Sequence, residues 1–252
     1  MPGSQPEVQT SPTRLGVPKP VYRNPVSKRA ESVEAFPLFS NVSLTAREEI
    51  LSFSDEVEFS RRQLLYFEGD PVRQIILLTS GSVKITQVGA NGSEVILRLV
   101  GPREVVGAVG GSARINHFST ARAMRVSRAL VWETSVFECI LERFPIVRRN
   151  TAHILGQRLE EIEERFREVS TEKVAPRLSS EIARLLDQIG QRINGAVEIS
   201  LSREELAQLT GTTLFTVSRL LSEWEHLGIV RTRREGLTVC NLGRLIELSE
   251  RE

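Results

Sequence analysis

Cysteine is nearly absent from this chain: Cys139 and Cys240 are the only two in 252 residues, far apart and in no metal-ligand spacing. That gives no basis for a disulfide framework, a zinc site or an iron–sulfur cluster, and both thiols are expected to be buried. No apolar run approaches the roughly 20 residues of a membrane-spanning helix, and the N-terminus lacks the charged-then-apolar pattern of a secretory leader. A cytoplasmic protein without a membrane partner is therefore expected. Neither sign of charge dominates, with 33 Lys and Arg against 32 Asp and Glu, so any contact with nucleic acid must rest on a local basic surface. No nucleophile–base spacing, Gly-rich phosphate loop or metal-ligand set appears, so no catalytic residue is named and an enzyme is not expected. Aromatics make up 6% of the chain. Trp132 and Trp224 both lie in apolar stretches and are expected in the core.

What the chain does have is enough length for two domains and a clear change of pattern along it. Residues 1–33 are rich in Pro, Ser and Thr without apolar periodicity and read as a disordered arm carrying Arg14, Lys19, Arg23, Lys28 and Arg29. Ser43 is placed to cap a short helix. From about Val57 to Ser135, short Val, Ile, Leu and Phe runs alternate with Gly, Pro, Asn and Asp turns, the pattern of a β sandwich or barrel. Asn91-Gly92 between Val83-Lys84-Ile85 and Val95-Ile96-Leu97 is the clearest hairpin signal. Pro145 then opens a long helix in which Ala152, Leu155, Leu159, Ile162, Phe166 and Val169 recur every three or four residues among charges. So narrow an apolar stripe must meet another helix, and a parallel two-fold dimer is the arrangement it favours; packing on the chain's own barrel is the alternative.

The C-terminal part carries the most information. A helix from about Glu172 to Ile189 ends at Gly190, and Ser202 and Glu205 have capping-box spacing ahead of a helix from Arg203 to Leu209. Thr210-Gly211-Thr212 makes a short turn, and a second helix runs from about Leu214 to His226. Two short helices joined by a Gly-containing turn have helix-turn-helix spacing, with Leu206, Ala207, Val217 and Leu220 or Leu221 locking the pair. A β-hairpin follows, with Arg231, Arg233 and Arg234 placed for phosphates, and Ser202 joins them as a candidate contact. Thr213, Phe215, Thr216, Ser218 and Arg219 occupy the half of the second helix that would enter a major groove. Arg219 suits the O6 and N7 of guanine, Phe215 a thymine methyl, and the hydroxyls phosphate or base edges.

Taken with Glu68-Gly69-Asp70, Leu78-Thr79-Ser80-Gly81-Ser82-Val83-Lys84, Val106-Gly107-Ala108-Val109-Gly110 and Thr216-Val217-Ser218-Arg219-Leu220-Leu221, this order of parts resembles the Crp/Fnr family of bacterial transcription regulators from about Phe36 onward. The resemblance implies an α+β chain: a jelly-roll barrel like a cyclic nucleotide-binding domain (34–144), a dimerisation helix (145–170) and a winged helix-turn-helix (171–252). It also implies double-stranded DNA, a second copy of the chain and RNA polymerase as partners, with a small-molecule effector in the barrel. Gly107, Ala108, Val109, His117, Phe118, Ser119 and, on the long helix, Phe166 fall at the family's effector positions. The cyclic-AMP pattern is broken there. Ala108, His117 and Phe118 stand where cyclic-AMP binders carry a Glu and an Arg-Ser pair, the helix hydroxyls fall near Phe166 and Arg167, and Phe supplies nothing to a cyclic phosphate. The oxygen-sensing branch needs N-terminal cysteines, and none precedes Cys139. For haem the candidates are His117 and His153, and His117 is read as a solvated loop histidine. The effector is therefore unassigned. The family's groove-reading Glu is replaced by Phe215, so the DNA half-site is expected to differ at that pair. A constitutive DNA binder with a vestigial barrel and a cyclic-nucleotide signalling subunit are the alternatives.

Overall fold

The structure, a computed structural model, describes residues 19–20, 25–90, 92, 94–108, 116–193 and 196–249. The chain enters through β1 (Lys19–Pro20), which pairs with a later strand, and α1 (Val26–Ser32). A 3-10 turn at Pro37–Phe39 leads to α2 (Leu44–Ser52), whose N-terminus is capped by Ser43 Oγ accepting from the Ala46 amide at 3.3 Å. The expected arm is thus too long. Residues 1–18 and 21–24 lie outside the described residues, but α1 is helical, and its Ala30 and the following Val33 are completely buried with Phe39, Ile50 and Leu51. Arg29 is buried as well and donates to Ser54 Oγ at 3.2 Å, which removes it from any surface that could meet DNA.

Eight strands follow: β2 (Asp55–Phe59), β3 (Leu64–Tyr66), β4 (Gln74–Ser80), β5 (Val83–Val88), β6 (Glu94–Val100), β7 (Val105–Val106), β8 (Thr120–Ala123) and β9 (Ser127–Glu133). They form two antiparallel sheets, ordered β1-β2-β9-β4-β7 and β3-β8-β5-β6, the jelly roll that the family resemblance implied. The alternation of β4 shows how it is built. Ile76 and Leu78 face the space between the sheets with Val83, Ile85, Val100 and Val131, while Ile75 and Leu77 face the helical layer. Trp132 packs in that layer and donates Nε1–H to the Ile50 carbonyl at 3.0 Å. Asn91 of the β5–β6 hairpin lies outside the described residues; its neighbour Gly92 has φ +80, as the turn requires.

After α3 (Thr134–Arg143) comes the long helix α4 (Pro145–Thr171), then α5 (Val174–Ile189) ending at Gly190. The remainder is β10 (Gln191–Ile193), β11 (Ala196–Ile199), α6 (Arg203–Leu209), α7 (Leu214–His226), β12 (Val230–Arg233), β13 (Gly236–Val239) and α8 (Leu242–Ser249). Its strands form one sheet, β10-β11-β13-β12, and Leu178, Ile182, Leu206, Val217, Leu221, Trp224 and Leu245 form its core. That core does not stop at the domain boundary: Ile96 and Leu99 of β6 belong to it. Both thiols depart from expectation and are exposed. On α3 the inward positions are taken by Phe137 and Ile140, which turns Cys139 outward, and Cys240 lies just past the end of β13.

Candidate nucleic-acid interface and effector pocket

The helix-turn-helix is assembled from local chemistry. Ser202 Oγ accepts from the Glu205 amide at 3.1 Å, and the Glu205 carboxylate accepts from the Ser202 amide at 2.9 Å, closing a capping box on α6. The Ser202 hydroxyl also donates to that carboxylate at 3.0 Å. Its proton is spent inside the cap, so the structure gives Ser202 a structural task. Gly211 turns the chain at φ +59, and Thr213 caps α7 by accepting from the Thr216 amide at 3.2 Å. Leu206, Ala207, Val217, Leu220 and Leu221 are buried between the two helices as expected.

On the opposite face of α7, Thr213, Phe215 and Arg219 are exposed and Thr216 and Ser218 half-buried. Arg219 lies 3.9 Å from Glu223, and its exposed guanidinium can turn outward. The wing is β12 and β13. Arg231 and Arg234 are exposed, while Arg233 lies 3.5 Å from Glu198. The wing is pinned to the helices by contacts that no sequence pattern announced. Glu225 of α7 accepts from the Thr232 amide at 2.8 Å and hydroxyl at 2.9 Å, bonds that hold its carboxyl below the usual range, and Arg203 donates to Thr232 Oγ1 at 3.0 Å. From the barrel, Arg61 reaches Glu235 at the wing tip at 3.0 Å.

The effector positions come together only in part. Gly107 and Ala108 follow β7, Val109 lies outside the described residues, and Phe118 is exposed beside half-buried Ser119. His117 is not a solvated loop residue. It is buried and stacked on Tyr66, ring centroids 3.5 Å apart and planes within 6°, and burial pushes its pKa below the usual value against the opposing pull of Asp70. Burial lifts the Tyr66 phenol to about 12, with Ser119 and the Arg158 charge opposing. The same hydroxyl covers Gly107: at φ +72, a Cβ there would stand 2.3 Å from it. Arg158 of α4 donates to the Gly107 carbonyl at 2.8 Å and to that of Val105, and burial lowers its pKa to about 10. Tyr66 and Arg158 were not legible as pocket residues. Phe166, assigned to the pocket, lies about 12 Å further along the helix than Arg158. It is 74% exposed on the apolar stripe, and no described contact joins it to Gly107, Ala108 or His117. Among the described residues no three His, Cys, Asp or Glu side chains converge to hold a metal ion.

A jelly roll, a long helix with a bare apolar stripe and a winged helix-turn-helix on one chain define a class: DNA-binding transcription regulators with a sensor-type barrel. Residues 56–144 match the cyclic nucleotide-binding domain family and residues 177–248 the Crp-like helix-turn-helix domain family. The chain is 23% identical over 210 residues to a CRP-like cAMP-activated global transcriptional regulator of Mycobacterium tuberculosis, covering 82% of this chain and 94% of the relative. It is 24% identical over 191 residues to an anaerobic regulatory protein of Haemophilus influenzae, covering 75% and 74% of the two chains. Its fold is that of FixK2 from Bradyrhizobium japonicum, with TM-score 0.69 and 20% identity over 79% of this chain and 98% of that one. The chain belongs to the Crp/Fnr family of transcription regulators.

Proposed function

We propose that the chain acts in the cytoplasm as a homodimer joined along α4 and binds an inverted-repeat DNA site by placing one α7 in each of two major grooves a helical turn apart. The observation that carries the reading is the face of α7. Val217, Leu220 and Leu221 are buried in the core shared with α6, which leaves Thr213, Phe215 and Arg219 exposed beside a wing with Arg231, Arg233 and Arg234. Arg219 is assigned to guanine and the wing arginines to phosphate, and RNA polymerase is the downstream partner.

Cyclic AMP does not fit as the effector. A cyclic phosphate needs a free cation or a nest of donors, whereas among the described residues Arg158 is committed to two backbone carbonyls, burial disfavours a charge on His117, and Ala108 offers no acceptor for a ribose hydroxyl. A second reading, an effector-independent binder, is favoured by one specific observation: Tyr66 and Arg158 already fill the approach to Gly107. The test is selection from a random DNA pool by the purified, ligand-free protein, repeated with Arg219→Ala. An inverted repeat for the parent supports the second reading. A motif that emerges after a cell extract is added, and not after cyclic AMP alone, supports an effector other than cyclic AMP. Arg219→Ala should keep weak, salt-sensitive binding without discrimination at one base pair; unchanged specificity would overturn the assignment.

A further inference from the structure

We infer that Phe215, with Leu214 beside it, reads the 5-methyl group of a thymine within two base-pair steps of the guanine taken by Arg219. The inference rests on the DNA-reading assignment of α7 and turns the expected fit of Phe215 to a thymine methyl into a base placed relative to that guanine.

Phe215 is 78% exposed and Leu214 50% exposed, the two most protruding apolar side chains of α7. Neither belongs to the fold's own packing, because Val217, Leu220, Leu221 and Trp224 occupy the buried face. The exposed or half-exposed side chains of the first two turns are Thr213, Leu214, Phe215, Thr216, Ser218 and Arg219, and none is a carboxylate or an amide. Thr213 and Thr216 share a hydrogen bond at 3.0 Å, and Thr213 Oγ1 also accepts from the Thr216 amide, so their capacity is largely used within the cap. The first acceptor with charge is Glu223, a full turn beyond Arg219. Over its first two turns this reading face therefore offers the amino group of cytosine or adenine no carboxylate or amide oxygen, only hydroxyls. What it offers there is apolar surface followed by one guanidinium.

In the major groove the apolar feature of a base edge is the thymine methyl, and the best match for a guanidinium is guanine. Phe215 and Arg219 are four residues apart on one face, about 6 Å along the axis, which spans about two base-pair steps. Exposed aromatic area gains free energy only on leaving water, so the contact discriminates through the methyl itself.

The experiment uses the full chain and the half-site that it selects, with each thymine replaced in turn by deoxyuridine, a change that removes one methyl and no hydrogen bond. One thymine per half-site should lose affinity by roughly threefold to fivefold, the effect of one buried methyl. Phe215→Ala should make thymine and uracil equivalent there. Phe215→Glu should shift the preference at that pair to cytosine, whose N4 amino group a carboxylate accepts from, with the guanine preference kept. Because Phe215 is exposed, both variants should melt with the parent. Uracil tolerated at every thymine, or a thymine preference that survives Phe215→Ala, overturns the inference while leaving the DNA-reading assignment intact. A pool that yields no motif with or without extract overturns both.

Discussion

The Tyr66–His117 stack sits where the barrel is closed from two directions, by Arg158 from α4 and by the main-chain pairing of His117 with Gly69 and Asp70, at 2.8 Å in each direction. A ring pressed between neighbours in this way is most stable without charge, and burial is the larger influence on His117, exceeding the pull of Asp70. The sign of the pH effect follows. In the unfolded chain the imidazole titrates near the ordinary value of about 6.5, and in the folded chain below it. Between those values the unfolded state holds more protons, so this contribution to stability is complete above about pH 6.5 and is lost as pH falls toward the folded value. Melting curves at about pH 7.5 and pH 5 should show a larger drop in Tm for the parent than for His117→Phe, which keeps a stacked ring without a proton to gain. Equal drops would place the acid sensitivity elsewhere.

At the level of elements, the joint between α4 and α5 is held by buried charge. Arg184 donates to both oxygens of Glu168 at 2.6 and 2.8 Å and to Glu181 at 2.9 Å, and Arg165 reaches Glu181 from α4 at 3.0 Å. The two carboxylates are 6% and 2% exposed, so neither can turn to water if its partner is removed. Arg184→Ala should cost about 3–5 kcal/mol, read as a lower urea midpoint at unchanged slope. A loss under about 1 kcal/mol would mean that Arg165 and solvent compensate. These residues also mark the limit of what the chain shows without its fold. The helix-turn-helix was legible because its signals are local: the Ser202–Glu205 cap, the Gly211 turn and the spacing of Leu206, Val217 and Leu221. The apolar stripe of α4 was legible from its period. Glu168 and Arg158, by contrast, read as solvated charges between stripe positions, because nothing nearby in sequence reveals the barrel and α5 that bury them. His117 was misread for the same reason, its partner Tyr66 lying on a distant strand. The α1 helix was lost in a Pro-rich setting, its few apolar residues finding partners on the 3-10 turn and α2.

For the molecule as a whole, the reading head is fixed to its own barrel. Ile96 and Leu99 of β6 are buried in the same core as Leu178 and Leu206, Gln188 of α5 donates to the Leu99 carbonyl at 2.9 Å and to Glu104 at 2.8 Å, and Gly101 passes so close that a Cβ would meet the Gln188 carbonyl oxygen at 2.1 Å. On the proposed inverted repeat, a head held this tightly within its protomer would not find the spacing of a second half-site by swinging alone, and that spacing would come from how two α4 helices meet. Along α4, Leu155, Leu159, Ile162, Phe166 and Val169 are 45%, 57%, 64%, 74% and 49% exposed, and Ala152 is exposed as well, so the stripe is not consumed by the barrel. In the proposed dimer a second copy of the same helix would cover it with like residues in a two-fold arrangement. Leu159→Glu combined with Ile162→Glu places facing carboxylates at the centre of that contact, where they cannot be buried unpaired. The double variant should run as a monomer in light scattering and bind a single half-site as the parent does, yet lose on the order of a hundredfold or more on the full repeat, where the parent gains from linked binding. A variant that stays dimeric would move the interface off α4. A monomer that binds the full repeat as tightly as the parent would show that the two heads do not act together on DNA.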